Sequence, residues 1–412
     1  MPLRRRAWLT REGWYYLAVL AFIIGGSVLR SVNLLVVLAG MMIAPLLFNW
    51  RLVMASLMGL VVHRRLPPQM LAGEPLTVEI AAENTRSWMS SWLLTAEDWI
   101  ERQEAEVGSR GSGVGSRLAR WLSPRRLLHL DAVHAAAAIP QVPARGKALG
   151  TYRVTLHRRG RYRFGPLRVS TRFPLGLVRG QITLPEYDEL IVSPRLGRLL
   201  PQWLNLLEAE MAGDQRRNPQ RGMSEGDYYG LRPWQTGDSL RWIHWRTTAR
   251  LARPIVRQYE RRKSREAALV VDPWLPAQHD DVHAAETVEL AISVAATAVT
   301  DITSRGHARL TVAVGGRPAE CYSGSGSPIL CQEILAALAD VQPSDDYVLA
   351  DAIQQAVEQA PRGARIIVLS SRAANDPSLD NVSTELPIEP DDLLWIDVGS
   401  AELAMLFTLD VD

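Results

Sequence analysis

The chain has 412 residues, 47% of them hydrophobic, enough for a membrane anchor and two soluble domains of ordinary size. Its two cysteines, Cys321 and Cys331, exclude a disulfide framework and a thiolate metal site, and read as small buried apolar residues in a reducing compartment. The net charge of +2 hides a division: residues 266–412 carry 24 acidic and 6 basic side chains, residues 1–265 carry 20 acidic and 40 basic ones. Either the basic part lies near membrane phosphates and the acidic part faces the cytoplasm, or the two halves attract each other.

Arg4, Arg5, Arg6 and Arg11 precede an uncharged run, Trp14 to Leu29, and a second runs from Val32 to Phe48. Each is about 25 Å long as a helix, slightly short for a hydrocarbon core, with Trp14, Tyr15, Tyr16 and Trp50 suited to the interface. A cleaved signal peptide fits poorly, because a second span follows at once and Arg30 stands where small residues belong. Arg51, His63, Arg64 and Arg65 follow the second run, so the positive-inside rule places both ends in the cytoplasm. Residues 1–62 thus read as an anchor with two transmembrane helices, about 14–29 and 32–48. The apolar Leu52 to Val62 is too short to span and reads as an interfacial segment or a first strand.

Residues 63–200 read as strands. Leu76-Thr77-Val78-Glu79-Ile80 alternates with period two, and Tyr152 to Leu156, Gly160 to Pro166 and Leu167 to Ser170 follow at short spacing, as in a small β-sandwich. Residues from about 101 to 130, with Gly108-Ser109-Arg110-Gly111-Ser112-Gly113, read as a mobile insertion.

Residues 201–265 hold a linker and the most distinctive stretch. Glu225, Asp227, Gly230, Leu231, Arg232, Trp234, Gly237, Asp238, Arg241, Trp245, Arg246 and Arg250 fall within 26 positions. Thr236-Gly237-Asp238 predicts a helix start with Asp238 as N-cap. On that helix Arg241 would share a face with Trp245, and Trp242 with Arg246. Arginines stacked on indoles and paired with Glu225, Asp227 or Asp238 would knit the segment into a structural brace or a docking surface. Residues 215–265 carry 13 basic and 4 acidic residues, but no nucleic-acid module surrounds them, and nucleic acid is not the expected partner. Ile255 to Glu260 reads as a strand.

Through Tyr229-Gly230-Leu231-Arg232, Gly237-Asp238, Arg241, Ile243, Trp245 and Ala249-Arg250 the chain resembles the bacterial domain-of-unknown-function 58 family. Arg159-Gly160-Arg161-Tyr162, Phe173 to Leu177, Val192 to Arg195 and the N-terminal hairpin fit the same resemblance. His244 stands where the family usually has an acid, and Trp234 where it usually has tyrosine. The resemblance implies a bacterial inner-membrane protein with cytoplasmic domains, working with a MoxR-type AAA+ ATPase in the assembly or maturation of a protein client.

Residues 266–412 alternate strands and helices: strand Ala267 to Asp272, helix Ala284 to Ser304, strand Ala308 to Val314, helices Ile329 to Leu338 and Val348 to Gln359, then strands Arg365 to Leu369 and Leu393 to Val398. This predicts a doubly wound α/β domain with a mainly parallel sheet, and the resemblance implies a von Willebrand factor A-like domain. In such domains the first strand ends in Asp-x-Ser-x-Ser, whose oxygens hold Mg²⁺. Here Asp272-Pro273-Trp274-Leu275-Pro276 lacks both serines, so Asp272 marks a degenerate position, and neither a metal nor another cofactor is expected. His279 and His283, four apart, read as a solvated face. No P-loop, HExxH or GxSxG occurs, and the expected role is a non-enzymatic scaffold or adaptor. The alternative is a metal-dependent or hydrolytic enzyme using Glu225, Asp227 and Asp238.

Overall fold

The computed structural model describes residues 4–30, 33–103, 133–203, 228–236, 238–259, 266–275, 282–305, 309–316, 318–345, 349–360, 364, 366–373, 376 and 393–409. They fall into two compact units, residues 1–194 and 195–412.

In the first unit, α1 (Arg11–Arg30) and α2 (Asn33–Ser56) are long and apolar enough to cross a membrane, and most of their surface is unburied. They pack on each other, the Tyr16 hydroxyl donating to the Met42 carbonyl at 2.8 Å. α2 runs eight residues beyond the expected span, and its end is buried in the β-rich part: Val53, and Leu57 just past the helix, are covered there. Gly180 permits that approach, since a Cβ there would lie 2.5 Å from Val53 Cγ1. Arg4–Leu9, read from sequence only as flanking charge, forms strand β1. Three consecutive arginines mask any period-two pattern.

Ten further strands follow: β2 (Leu60–Arg65), β3 (Gln69–Leu71), β4 (Pro75–Asn84), β5 (Ser91–Gln103), β6 (Val133–Val142), β7 (Lys147–Thr155), β8 (Gly160–Phe164), β9 (Leu167–Thr171), β10 (Val178–Leu184) and β11 (Asp188–Ser193). One sheet has the order β1-β10-β9-β5-β8-β11-β3, with β6 also on β5; the other is β2-β4-β7. Inward residues of both, among them Val62, Val78, Ile80, Leu94, Ile100, Phe164, Val169 and Leu190, close on one core, the two-layer solution expected of alternating strands. The expected insertion lies almost wholly outside the described residues, between the antiparallel partners β5 and β6.

An arginine ties the two sheets together. Arg64 of β2 is 2% exposed and forks onto fully buried Asp98 of β5, at 2.7 and 2.6 Å, while its other terminal nitrogen donates to Asp188 of β11 at 2.5 Å. The Tyr152 hydroxyl of β7 donates to the same Asp98 carboxylate at 2.7 Å. Burial opposes the charge on Arg64, but the hydrogen bonds and charges of Asp98 and Asp188 outweigh it and raise its pKa. Burial and then the Asp98 charge raise Tyr152, so it stays a neutral donor.

The second unit begins earlier than the boundary near residue 200 expected from the sequence. β12 (Arg198–Leu199) pairs with β20 (Phe407–Thr408), next to the short helix Leu403–Leu406, and Trp203 is fully buried in this unit's core. Its main sheet has the order β17-β16-β15-β18-β19, from β15 (Glu266–Asp272), β16 (Arg309–Val314), β17 (Glu320–Ser325), β18 (Ile366–Ser370) and β19 (Leu393–Asp397). All pairings are parallel except that of edge strand β17, which the polar Glu320-Cys321-Tyr322-Ser323 hid from sequence. Leu269 and Val271 face a core shared with the helices Val282–Ser304 and Pro328–Asp340, while Ala268 and Val270 face one shared with the helix Leu349–Gln359. Helices thus cover both faces, and the C-terminal ends of β15 and β18 border the point where strand order reverses, the usual ligand position of such sheets.

Candidate functional site

The signature residues form a small excursion between β13 (Tyr228–Pro233) and its antiparallel partner β14 (Ile255–Tyr259). Gly230, Leu231 and Arg232 lie on β13. The Arg232 guanidinium forks onto Asp238 at 2.7 and 2.6 Å, and the Gln235 N–H donates to the same carboxylate at 2.8 Å. The Trp234 indole N–H donates to the Asp238 carbonyl at 3.3 Å, and its backbone N–H to the Pro254 carbonyl at 2.9 Å. Asp238 is therefore the hub of the turn.

Two expectations change. Asp238 is not a helix N-cap: Ser239 caps a single 3₁₀ turn, Leu240–Trp242, and Asp238 is held by Arg232 instead. Nor does one helix carry Arg241 through Arg250. The chain is extended at Ile243, whose side chain is buried, and restarts as α3 (Trp245–Leu251). The pairs Arg241/Trp245 and Trp242/Arg246 accordingly do not share a helix face. His244 is the cap of α3: its Nδ1 accepts from the Thr247 N–H at 3.3 Å and lies 2.8 Å from the Thr247 hydroxyl. The imidazole nitrogen there caps the helix start as a carboxylate oxygen would. Glu225, Asp227 and Gly237 lie outside the described residues.

Outward, the excursion shows Trp234, Leu240, Trp245 and Leu251, with Leu240 and Trp245 70% and 68% exposed. Arg241, Arg246, Arg250, Arg253 and Arg257 are exposed among them. Asp238 is the one carboxylate in residues 228–259 and is committed to Arg232, so the face is apolar and net positive.

The hydrogen bonds from Arg232, and next that from Gln235, hold the Asp238 carboxyl below its ordinary range, and the pairing raises Arg232. A carboxylate with a depressed folded pKa adds stability above its unfolded pKa and loses it as pH falls through the folded one. The thermal midpoint of the wild type is thus expected to exceed that of Asp238→Asn at neutral and mildly acid pH, the difference closing only below about pH 3.9. Closure near neutrality would mean the fork does not form.

At the reversal point of the second unit's main sheet, fully buried Asp272 meets an arginine, Arg372, which lies 100 residues further along the chain and so could not be singled out from the sequence. Arg372 Nε and Nη2 approach its carboxylate at 2.9–3.0 Å, and the Ser370 hydroxyl donates to it at 2.5 Å. The Arg372 guanidinium lies 4.8 Å from the Trp274 ring centre, and the Trp395 indole N–H donates to the Arg372 carbonyl at 2.8 Å. Mg²⁺ or Ca²⁺ needs six or more oxygen ligands; here a guanidinium already engages both carboxylate oxygens, so these residues do not fit either ion. Among the described residues no group of three or more His, Cys, Asp or Glu side chains is placed to hold a metal. His283 lies 3.4 Å from Glu286, and His279 is outside the described residues.

Two apolar N-terminal helices, a β-rich part and a mainly parallel sheet covered on both faces define a multidomain α/β protein with a basic signature hairpin. Residues 230–382 match the family described as Protein of unknown function DUF58. No curated protein matches. Among solved structures, the crystal structure of Spo0M, sporulation control protein, from Bacillus subtilis aligns at 7% identity with a TM-score of 0.18, covering 43% of this chain. The chain spans 58% of that protein's length, and so weak a likeness carries no argument.

Proposed function

We propose that this chain is a scaffold or adaptor held in the bacterial inner membrane by α1 and α2, with a von Willebrand factor A-like C-terminal domain and its soluble parts in the cytoplasm. The anchor reading draws on connectivity: β1, before α1, and β2, after α2, both enter the same β-rich unit, so both ends of the hairpin emerge on one side. The arginines flanking those ends favour the cytoplasmic side.

The observation that carries the adaptor reading is the outward face of the signature hairpin, where exposed Trp245 and Leu240 stand among five exposed arginines. Exposed tryptophan with arginine is the composition of binding hot spots, and the charge selects an acidic protein surface. The MoxR-type AAA+ ATPase implied by the sequence resemblance is the proposed partner. The enzyme alternative is disfavoured because Asp238, one of its three carboxylates, is occupied by Arg232.

The test is co-purification of the detergent-solubilised chain with a co-expressed MoxR-type ATPase. Truncating Trp245 and Arg246 to alanine touches neither the Asp238 fork nor the core. At about 2 kcal/mol per hot-spot residue each change is expected to weaken binding roughly thirty-fold. An ATPase not retained by the wild type, or retained equally by the double variant, overturns the reading.

A further inference from the structure

We propose that two tips of the β-rich unit, the β4–β5 loop with the first residues of β5 (85–93) and the β9–β10 loop (172–177), seat it directly on the lipid surface, placing Trp88, Trp92, Leu93 and Leu175 at headgroup level and Arg51 and Arg172 near lipid phosphate. This rests on the reading that α1 and α2 span the bilayer, and adds that the soluble unit is not suspended above it.

The height of these loops follows from what they hold. The uncharged run of α2 ends at Phe48, and the next residue, Asn49, accepts the Leu175 N–H on Oδ1 at 3.3 Å. Across the hairpin, at the start of α1, the Thr10 hydroxyl donates to the Gly176 carbonyl at 2.6 Å and the Thr10 N–H to the Leu177 carbonyl at 3.0 Å. Gly13 is needed there, because a Cβ would lie 2.1 Å from the Leu177 oxygen. Loop 172–177 is therefore wedged between the polar ends of both apolar helices. The second loop is tied to the end of α2: Arg86 donates to the Ala55 and Ser56 carbonyls, and the Ser91 hydroxyl to that of Ser56 at 2.7 Å. The rings of Trp92 and Phe173 stack at 6.0 Å and join the two loops. From Asn49 to Ser56 α2 rises by seven residue steps, about 10 Å of helix axis, comparable to a headgroup layer of about 5–7 Å plus the reach of an indole.

The same two loops leave apolar side chains uncovered: Trp88 is 71%, Leu93 60%, Leu175 51% and Trp92 40% exposed. Leu93 sits at φ +49°, a conformation bulky residues rarely adopt, and such outliers concentrate at functional positions. Indoles beside a helix end with exposed Arg51 and Arg172 have the chemistry of the bilayer interface, where aromatic rings settle at headgroup level and guanidinium groups meet phosphate.

The test uses the full chain with Cys321→Ala and Cys331→Ala, given one added cysteine by Leu93→Cys, Leu175→Cys, Phe22→Cys or Glu186→Cys. Each is labelled with nitrobenzoxadiazole in phosphatidylcholine–phosphatidylglycerol vesicles containing spin-labelled lipid. Phe22 is an exposed residue of α1, whereas Glu186 follows the far end of β10, seven strand residues or roughly 23 Å from Leu177. The label at position 22 is expected to be quenched by chain-centre spin labels, those at 93 and 175 by headgroup-level labels with blue-shifted emission, and that at 186 by neither. Should Leu93→Cys fail to fold, Trp88→Cys replaces it with the same expectation. Quenching at 22 but none at 93, 88 and 175 overturns the seating while leaving the anchor intact. No quenching at 22 removes the anchor reading and this proposal with it.

Discussion

Arg64→Met is expected to lower the stability of the β-rich unit by about 3–5 kcal/mol, because it leaves the fully buried Asp98 carboxylate without its counter-charge. The Tyr152 hydroxyl remains to donate one hydrogen bond but brings no charge. For a unit of this size the loss corresponds to a fall in thermal midpoint of order 10 °C, read by intrinsic fluorescence on the detergent-solubilised chain. Arg64→Lys is expected to recover only part, since an ammonium cannot fork onto Asp98 while also reaching Asp188. Adding Asp98→Asn to Arg64→Met should be less than additive, because the two groups are in direct contact. A loss below about 1 kcal/mol would put the pair in the class of exposed ion pairs and refute its role in joining the sheets.

The second large effect is at the parallel sheet. Arg372→Met is expected to cost about 3–5 kcal/mol by stranding Asp272, which is fully buried at the end of β15. The reverse change, Asp272→Leu, should cost less, because Arg372 has a long apolar stem on which its head can move toward water. Combining the two replaces a buried ion pair with apolar volume, which is often neutral or stabilising, so the double variant should recover most of the loss. Denaturant unfolding of the three variants checks the order Arg372→Met, Asp272→Leu, double variant, from most to least destabilised. An Arg372→Met protein as stable as the wild type would show that the Asp272 carboxylate does not depend on Arg372.

What was legible in the sequence is whatever repeats at short range. The two uncharged runs, the alternation of Leu76 to Ile80 and the strand–helix rhythm from Ala267 onward each carry a local period, and the elements appear where those periods put them. The signature residues were recognisable as a group, and the pairing of an arginine with Asp238 followed from charge alone. Strand β1 was not legible, because its partner lies some 170 residues away and its arginines show no alternation. The break at Ile243 was not legible either: no proline or glycine marks it between Ser239 and Arg250, and what accompanies it is burial of Ile243 beside Val256 of β14. The two arginine–aspartate pairs in the cores depend on which strand ends become neighbours. That is decided by strand order in the sheets, and the neighbours of Arg64 or Asp272 in the chain carry no trace of it.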